Sequence, residues 1–117
     1  MFLELGHTKL DAYKTAIELV QTCYALTSQF PVEEKFGLSS QIRKAAISVV
    51  LNLAEGRSRI TKAERKRFVE IARSSVVEVD AAFGIAIKLG YMKISDGSSI
   101  RELINKAFAQ LSGLLRT

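Results

Sequence analysis

From Thr61 to Leu89 the apolar residues return every third or fourth position, and no proline interrupts them. That spacing commits about a quarter of the chain to one helix, roughly 43 Å long at 1.5 Å per residue. Thr61-Lys62-Ala63-Glu64 reads as a capping box at its start, and Gly90 as its stop. Phe68, Ala72, Ser75, Val79, Ala82, Ala86 and Leu89 form one packing seam. Val69, Val76, Phe83 and Ile87 form a second, roughly 90° round the helix. One seam can face the core of a single chain. The other needs a very broad core or a neighbouring copy.

Three more helices follow from the same periodicity. The first spans about residues 10–28, with Leu10, Tyr13, Ile17, Val20 and Tyr24 in step, Thr8 as its expected cap and Pro31 as its terminator. The second spans about 38–54, with Gly56 as expected C-terminal cap. Gln41, Lys44, Ser48, Asn52 and Glu55 make one narrow polar stripe on it, and most of the remaining circumference is apolar. The fourth spans about 99–116 on the seam Ile100, Ile104, Ala107, Leu111 and Leu114, with Ser99 and Glu102 at capping-box spacing. One proline and no tryptophan leave few signals for a β-fold. The expected fold is all-α, a single-domain (1–117) antiparallel up-down-up-down four-helix bundle. The apolar excess on the second and third helices predicts a homo-oligomer.

The residues for most site chemistry are missing. One cysteine excludes an internal disulfide, and one histidine excludes both a zinc cluster within the chain and the paired Glu-x-x-His of a di-iron bundle. No phosphate-binding glycine loop, nucleophile elbow or zinc-protease motif occurs. Catalytic residues, a metal and a cofactor are therefore not expected, and Cys23 reads as a small buried residue. Asn52, Glu55 and Glu78 lie on otherwise apolar helices and are expected to form a structural polar network, with Asn52 and Glu78 bonding between helices. The start MFLELGHTKL lacks a secretory pattern, and Ala45–Ala54 is about half a membrane span, so a cytoplasmic protein with no membrane partner is expected.

Charge is the informative remainder. Between Arg43 and Arg73 nine cations meet three acids, +6 in a chain whose net charge is +5, so the rest of the chain carries −1. Arg57, Arg59, Lys62, Arg65, Lys66 and Arg73 are the candidate nucleic-acid-binding residues, through phosphate contacts rather than base reading. Lys62, Lys66 and Arg73 fall within about 40° on the wheel, roughly opposite the first seam, and are expected to face solvent as a stripe. No aromatic is expected to lie exposed among the arginines, so a base-stacking platform is not indicated. A helix-turn-helix also fits the turn Glu55–Ile60, but the helix after it is too long for a recognition helix.

Several of these residues carry a resemblance. Phe30 to Leu38, Gln41-Ile42-Arg43-Lys44-Ala45, Ser48, Asn52-Leu53-Ala54-Glu55-Gly56 and Arg59 resemble the bacterial 23S rRNA intervening-sequence proteins, a four-helix-bundle family. Phe68, Ile71-Ala72, Ser75, Glu78 and Leu89-Gly90-Tyr91 agree. Lys44 stands where that family usually has arginine, Val50 where proline is common, Ser74 where glycine is common and Tyr13 where tryptophan is common. The resemblance implies a ring of five subunits. It also implies kinship with the accessory protein of diversity-generating retroelements, a basic pentamer that binds nucleic acid and a reverse transcriptase. It carries over no catalytic residue. RNA is the favoured partner, and a scaffold docking a nucleic-acid enzyme such as a reverse transcriptase is the alternative.

Overall fold

The computed structural model describes residues 2–3 and 5–116. The long apolar periodicity becomes helix α3 (Lys62–Lys88), and α1 (Asp11–Thr27), α2 (Leu38–Ser58) and α4 (Ser98–Leu115) surround it. Short 3₁₀ turns at His7–Lys9, Val32–Glu34 and Ile94–Gly97 fill the connections, and no strand occurs among the described residues. Each helix touches its chain neighbours and α1 closes against α4, giving a four-helix bundle of 44 × 26 × 19 Å.

The helix ends separate local signals from packing demands. Thr61 caps α3, its hydroxyl accepting the Glu64 amide at 3.1 Å, but the reciprocal bond of the expected capping box, from the Thr61 amide to the Glu64 side chain, is not formed. Gly90 takes φ +78°, and the amides of Tyr91 and Gly90 bond the carbonyls of Ala86 and Ile87, a Schellman ending. Three further expectations fail. Thr8 lies inside the first 3₁₀ turn, and α1 starts after Leu10 with no side-chain cap. Helix α4 starts at Ser98 behind Gly97, so Ser99 caps nothing. Helix α2 does not stop before Gly56 but runs to Ser58. Gly56 is buried, and a Cβ there would meet the Cβ of Phe68 on α3 at 3.1 Å. The glycine is there for a close helix–helix approach, not for a left-handed cap.

Leu19, Ile42, Val49, Leu53, Val76, Val79 and Leu111 are fully buried at the centre. Each such side chain stabilises the fold by about 1.5–3 kcal/mol relative to exposure. Both seams of α3 enter this core: Ala72, Val79 and Ala86 from the first, Val76 and Phe83 from the second, with Val69 and Ile87 half-buried. The single chain thus covers much of the surface that a neighbour was expected to cover, because α3 packs on α2 and α4 at once. Leu51 on α2 and Ile71, Val77, Ile85 and Leu89 on α3 stay exposed.

The loop before α2 is fastened to the end of α3. Glu34 accepts the Leu38 amide at 2.9 Å and the Tyr91 hydroxyl at 2.6 Å. The Leu38 amide and then the Tyr91 hydroxyl hold the Glu34 carboxyl below its usual range. The bond to Glu34, then desolvation and the nearby carboxylates, push the Tyr91 phenol above its usual range. Phe30 packs between two rings, tilted 5.7 Å from that of Tyr91 and edge to face 6.4 Å from that of Phe83.

Two measurements test these readings. Gly84 in α3 has nothing within 4 Å of an added Cβ, so Gly84→Ala should gain about 1 kcal/mol of helix stability. Gly56→Ala should instead lose about 1 kcal/mol, because two helix backbones must part. Thermal melts of both variants check the contrast. Tyr91→Phe tests the clasp. A lowered carboxyl contributes stability above its unfolded pKa and loses it as pH falls through the folded value. A raised phenol contributes below its unfolded pKa and loses it as pH rises through the folded value. The melting temperature should therefore be flat between about pH 5 and 9 and fall on both sides. Tyr91→Phe should remove the Tyr91 contribution on the alkaline side and shrink the acid fall.

Candidate functional site

The six candidate cations come from three places. Arg57 sits in the last turn of α2, Arg59 just beyond it, and Lys62, Arg65 and Lys66 in the first turns of α3; Arg73 lies about two turns further on. The structure brings four of them together. Arg57, Lys62, Arg65 and Lys66 line one cavity of about 370 Å³, whose other walls are Leu10, Leu53, Gly56, Val69 and Leu114. The short connection 59–61 sets the end of α2 beside the start of α3, and Gly56 lets the two helices approach closely there.

The other two cations turn away. Arg59 pairs with Glu55 at 2.6 Å and lies over the Phe68 ring at 4.8 Å. Its carbonyl accepts the Arg65 Nε at 2.8 Å. Arg73 lies 5.4 Å over Phe108 of α4 and donates to the Ser112 hydroxyl at 3.2 Å. The expected solvent-facing stripe of Lys62, Lys66 and Arg73 is thus corrected at Arg73, which packs against α4, and at half-buried Lys66; Lys62 is exposed as expected. Phe108 is 40% exposed, so an aromatic does lie beside an arginine, with one face taken by that guanidinium. Arg59–Glu55 is the one ion pair among the described residues. Arg57, Lys62 and Lys66 bond no other described residue.

The polar network differs in membership from the expected one. Asn52 donates to the Ser48 carbonyl at 2.8 Å and to its hydroxyl at 2.9 Å, within α2. Ser48 then meets the Ser75 hydroxyl of α3 at 2.9 Å, which carries the link between helices. Glu55 is committed to Arg59, and Glu78 is exposed with no partner among the described residues. A surface carboxylate needs none, because water solvates it.

The family description "23S rRNA-intervening sequence protein" matches residues 8–113. The chain belongs to this family. A crystal structure of a protein of unknown function from the S23 ribosomal protein family of Bacteroides thetaiotaomicron VPI-5482 shares the fold, with a TM-score of 0.80 at 17% identity. The similarity covers 91% of this chain and 99% of that one. No curated protein matches the chain.

Elsewhere this family member offers little site chemistry. No three His, Cys, Asp or Glu residues gather to hold a metal among the described residues. No helix among them is long and apolar enough to cross a membrane. Cys23 is fully buried, and desolvation pushes its thiol up to about 12. The arrangement around Arg43 escaped sequence reading. Its Nε donates to the Thr27 hydroxyl at 2.8 Å and its guanidinium lies 4.4 Å over Tyr24. The apolar walls of the cavity escaped too, since Leu10, Val69 and Leu114 read only as seam residues and Leu53 as part of the apolar circumference of the second helix and of the family-like motif. Because the thiolate is the reactive form, iodoacetamide at pH 8 should leave native Cys23 untouched and label it on unfolding. Labelling of the native protein at the rate of a free thiol would contradict its burial.

Proposed function

We propose that this protein is a non-enzymatic nucleic-acid-binding module, with RNA as the favoured partner, working as a homo-oligomer. The observation that carries the reading is the convergence of Arg57, Lys62, Arg65 and Lys66 at one cavity, with no carboxylate among the described residues that line it. Four cations at one mouth form a field that attracts phosphate, and their spread suits a backbone more than a base edge. Arg59 and Arg73 are held on aromatic rings and play a smaller part in this reading. An antiparallel course of the four helices is part of the proposal, supported by the short connections and by the meeting of Leu10, the end of α2, the start of α3 and Leu114 round one cavity.

The assembly we propose is a ring, with five subunits favoured by the family resemblance. Leu51, Ile71, Ile85 and Leu89 are the exposed apolar side chains that a second copy would cover. A ring would repeat the cationic mouth and let weak phosphate contacts add.

The test is binding of a structured RNA as a function of salt, alongside solution scattering. Each neutralised phosphate contributes about −0.7 to −0.9 to the log–log slope, so four contacts on one subunit predict a slope of about −3. Replacing Arg57, Lys62 and Lys66 by alanine should reduce that slope to about −1. A flat salt response, or unchanged affinity in the triple variant, overturns the nucleic-acid reading. A particle that stays monomeric at micromolar concentration overturns the ring.

A further inference from the structure

The cavity between the end of α2 and the start of α3 has two unlike halves. Its apolar lining is buried Leu53 with half-buried Leu10, Val69 and Leu114, and its cationic lining is exposed Arg57, Lys62 and Arg65 with half-buried Lys66, so the charges form the mouth. Among the described residues, every polar side chain that lines it is a cationic donor, and none is an acceptor. A phosphate backbone would engage the mouth and leave the apolar wall wet. A neutral apolar solute would use the wall and leave the charges unanswered. Only a ligand carrying both features satisfies both halves.

We propose that this cavity binds a small amphiphilic anion: a short acyl chain or single ring against the apolar wall, with a carboxylate or phosphate at the cationic mouth. At about 370 Å³ the cavity lies at the small end of the range of roughly 300–1,000 Å³ typical of ligand sites. Arg65 is already oriented for the task. Its Nε is spent on the Arg59 carbonyl at 2.8 Å, and its two terminal nitrogens bond no other described residue. A guanidinium anchored at one nitrogen loses less freedom when the others grip an anion through parallel bonds. The proposal goes beyond nucleic-acid binding and shares its cations, so the small anion and RNA would compete.

Calorimetric titration of the full chain with octyl phosphate and with octanoate, each below its micelle concentration, tests this. Inorganic phosphate and octanol serve as the two half-ligands. At least one amphiphile should bind saturably, once per chain, and the pair shows which head group is preferred. Each half-ligand should bind at least about tenfold more weakly. Lys66→Gln should weaken the amphiphile about tenfold, the loss of one charge-assisted bond. Val69→Phe should abolish binding by filling the cavity. If that variant melts early, the double change Lys62→Gln, Lys66→Gln decides instead. Octanol binding as tightly as the amphiphile, inorganic phosphate binding as tightly, binding indifferent to Lys66, or no saturable binding overturns the proposal. Amphiphile binding that depends on Lys66 in a protein that ignores RNA supports it while removing the nucleic-acid reading.

Discussion

The close approach of α2 and α3 at Gly56 governs the rest of this molecule. Two helices whose backbones must admit a Cβ at each crossing stay further apart. Here the missing Cβ brings α2 against the Phe68 Cβ. Helix α2 continues past that contact to Ser58, and the three-residue connection to α3 keeps its last turn next to the first turn of α3. Higher along the same interface Ser48 and Ser75 meet, small enough to keep the helices close and polar enough to bond across. Small side chains therefore do two jobs. They pack the longest interface of the bundle, and they bring the cations of two helices to one mouth.

The breadth of the core follows from α3 serving two neighbours. A helix with one apolar seam faces one groove, but α3 packs on both α2 and α4, with residues of both seams in the core. This moves the polar boundary of α3 towards α4. It explains why Arg73 stacks on Phe108 rather than standing in solvent. It also leaves Ile71, Val77, Ile85 and Leu89 as the exposed large apolar side chains of this stretch, fewer than two free seams would have offered.

Much of the architecture was legible before any coordinates. The four helices, the Thr61 cap and the Gly90 stop are local events, written in side chains within a few residues of where they act. What was not legible depends on distant partners. A glycine near a helix end looks the same whether it adopts a left-handed cap or yields space to another helix, and Gly56 does the second. Ser75 read as a seam residue, and only the opposing Ser48 makes it a polar link. Glu78 suggested a buried partner because its neighbours are apolar, yet its side of the helix is wet. At the candidate site the cations were readable from charge counting, but the cavity was not. Its walls come from four separate segments, and no run of sequence holds them together.

The Glu34–Tyr91 clasp gives the bundle unequal ends. One end is tied by a short bond, an amide and three packed rings. The other ends in solvated cations that bond little else. Substitutions at that open end alter surface potential while leaving the frame nearly as stable, since exposed side chains contribute little to folding. Descendants of this scaffold can therefore drift in what they grip without relearning how to fold.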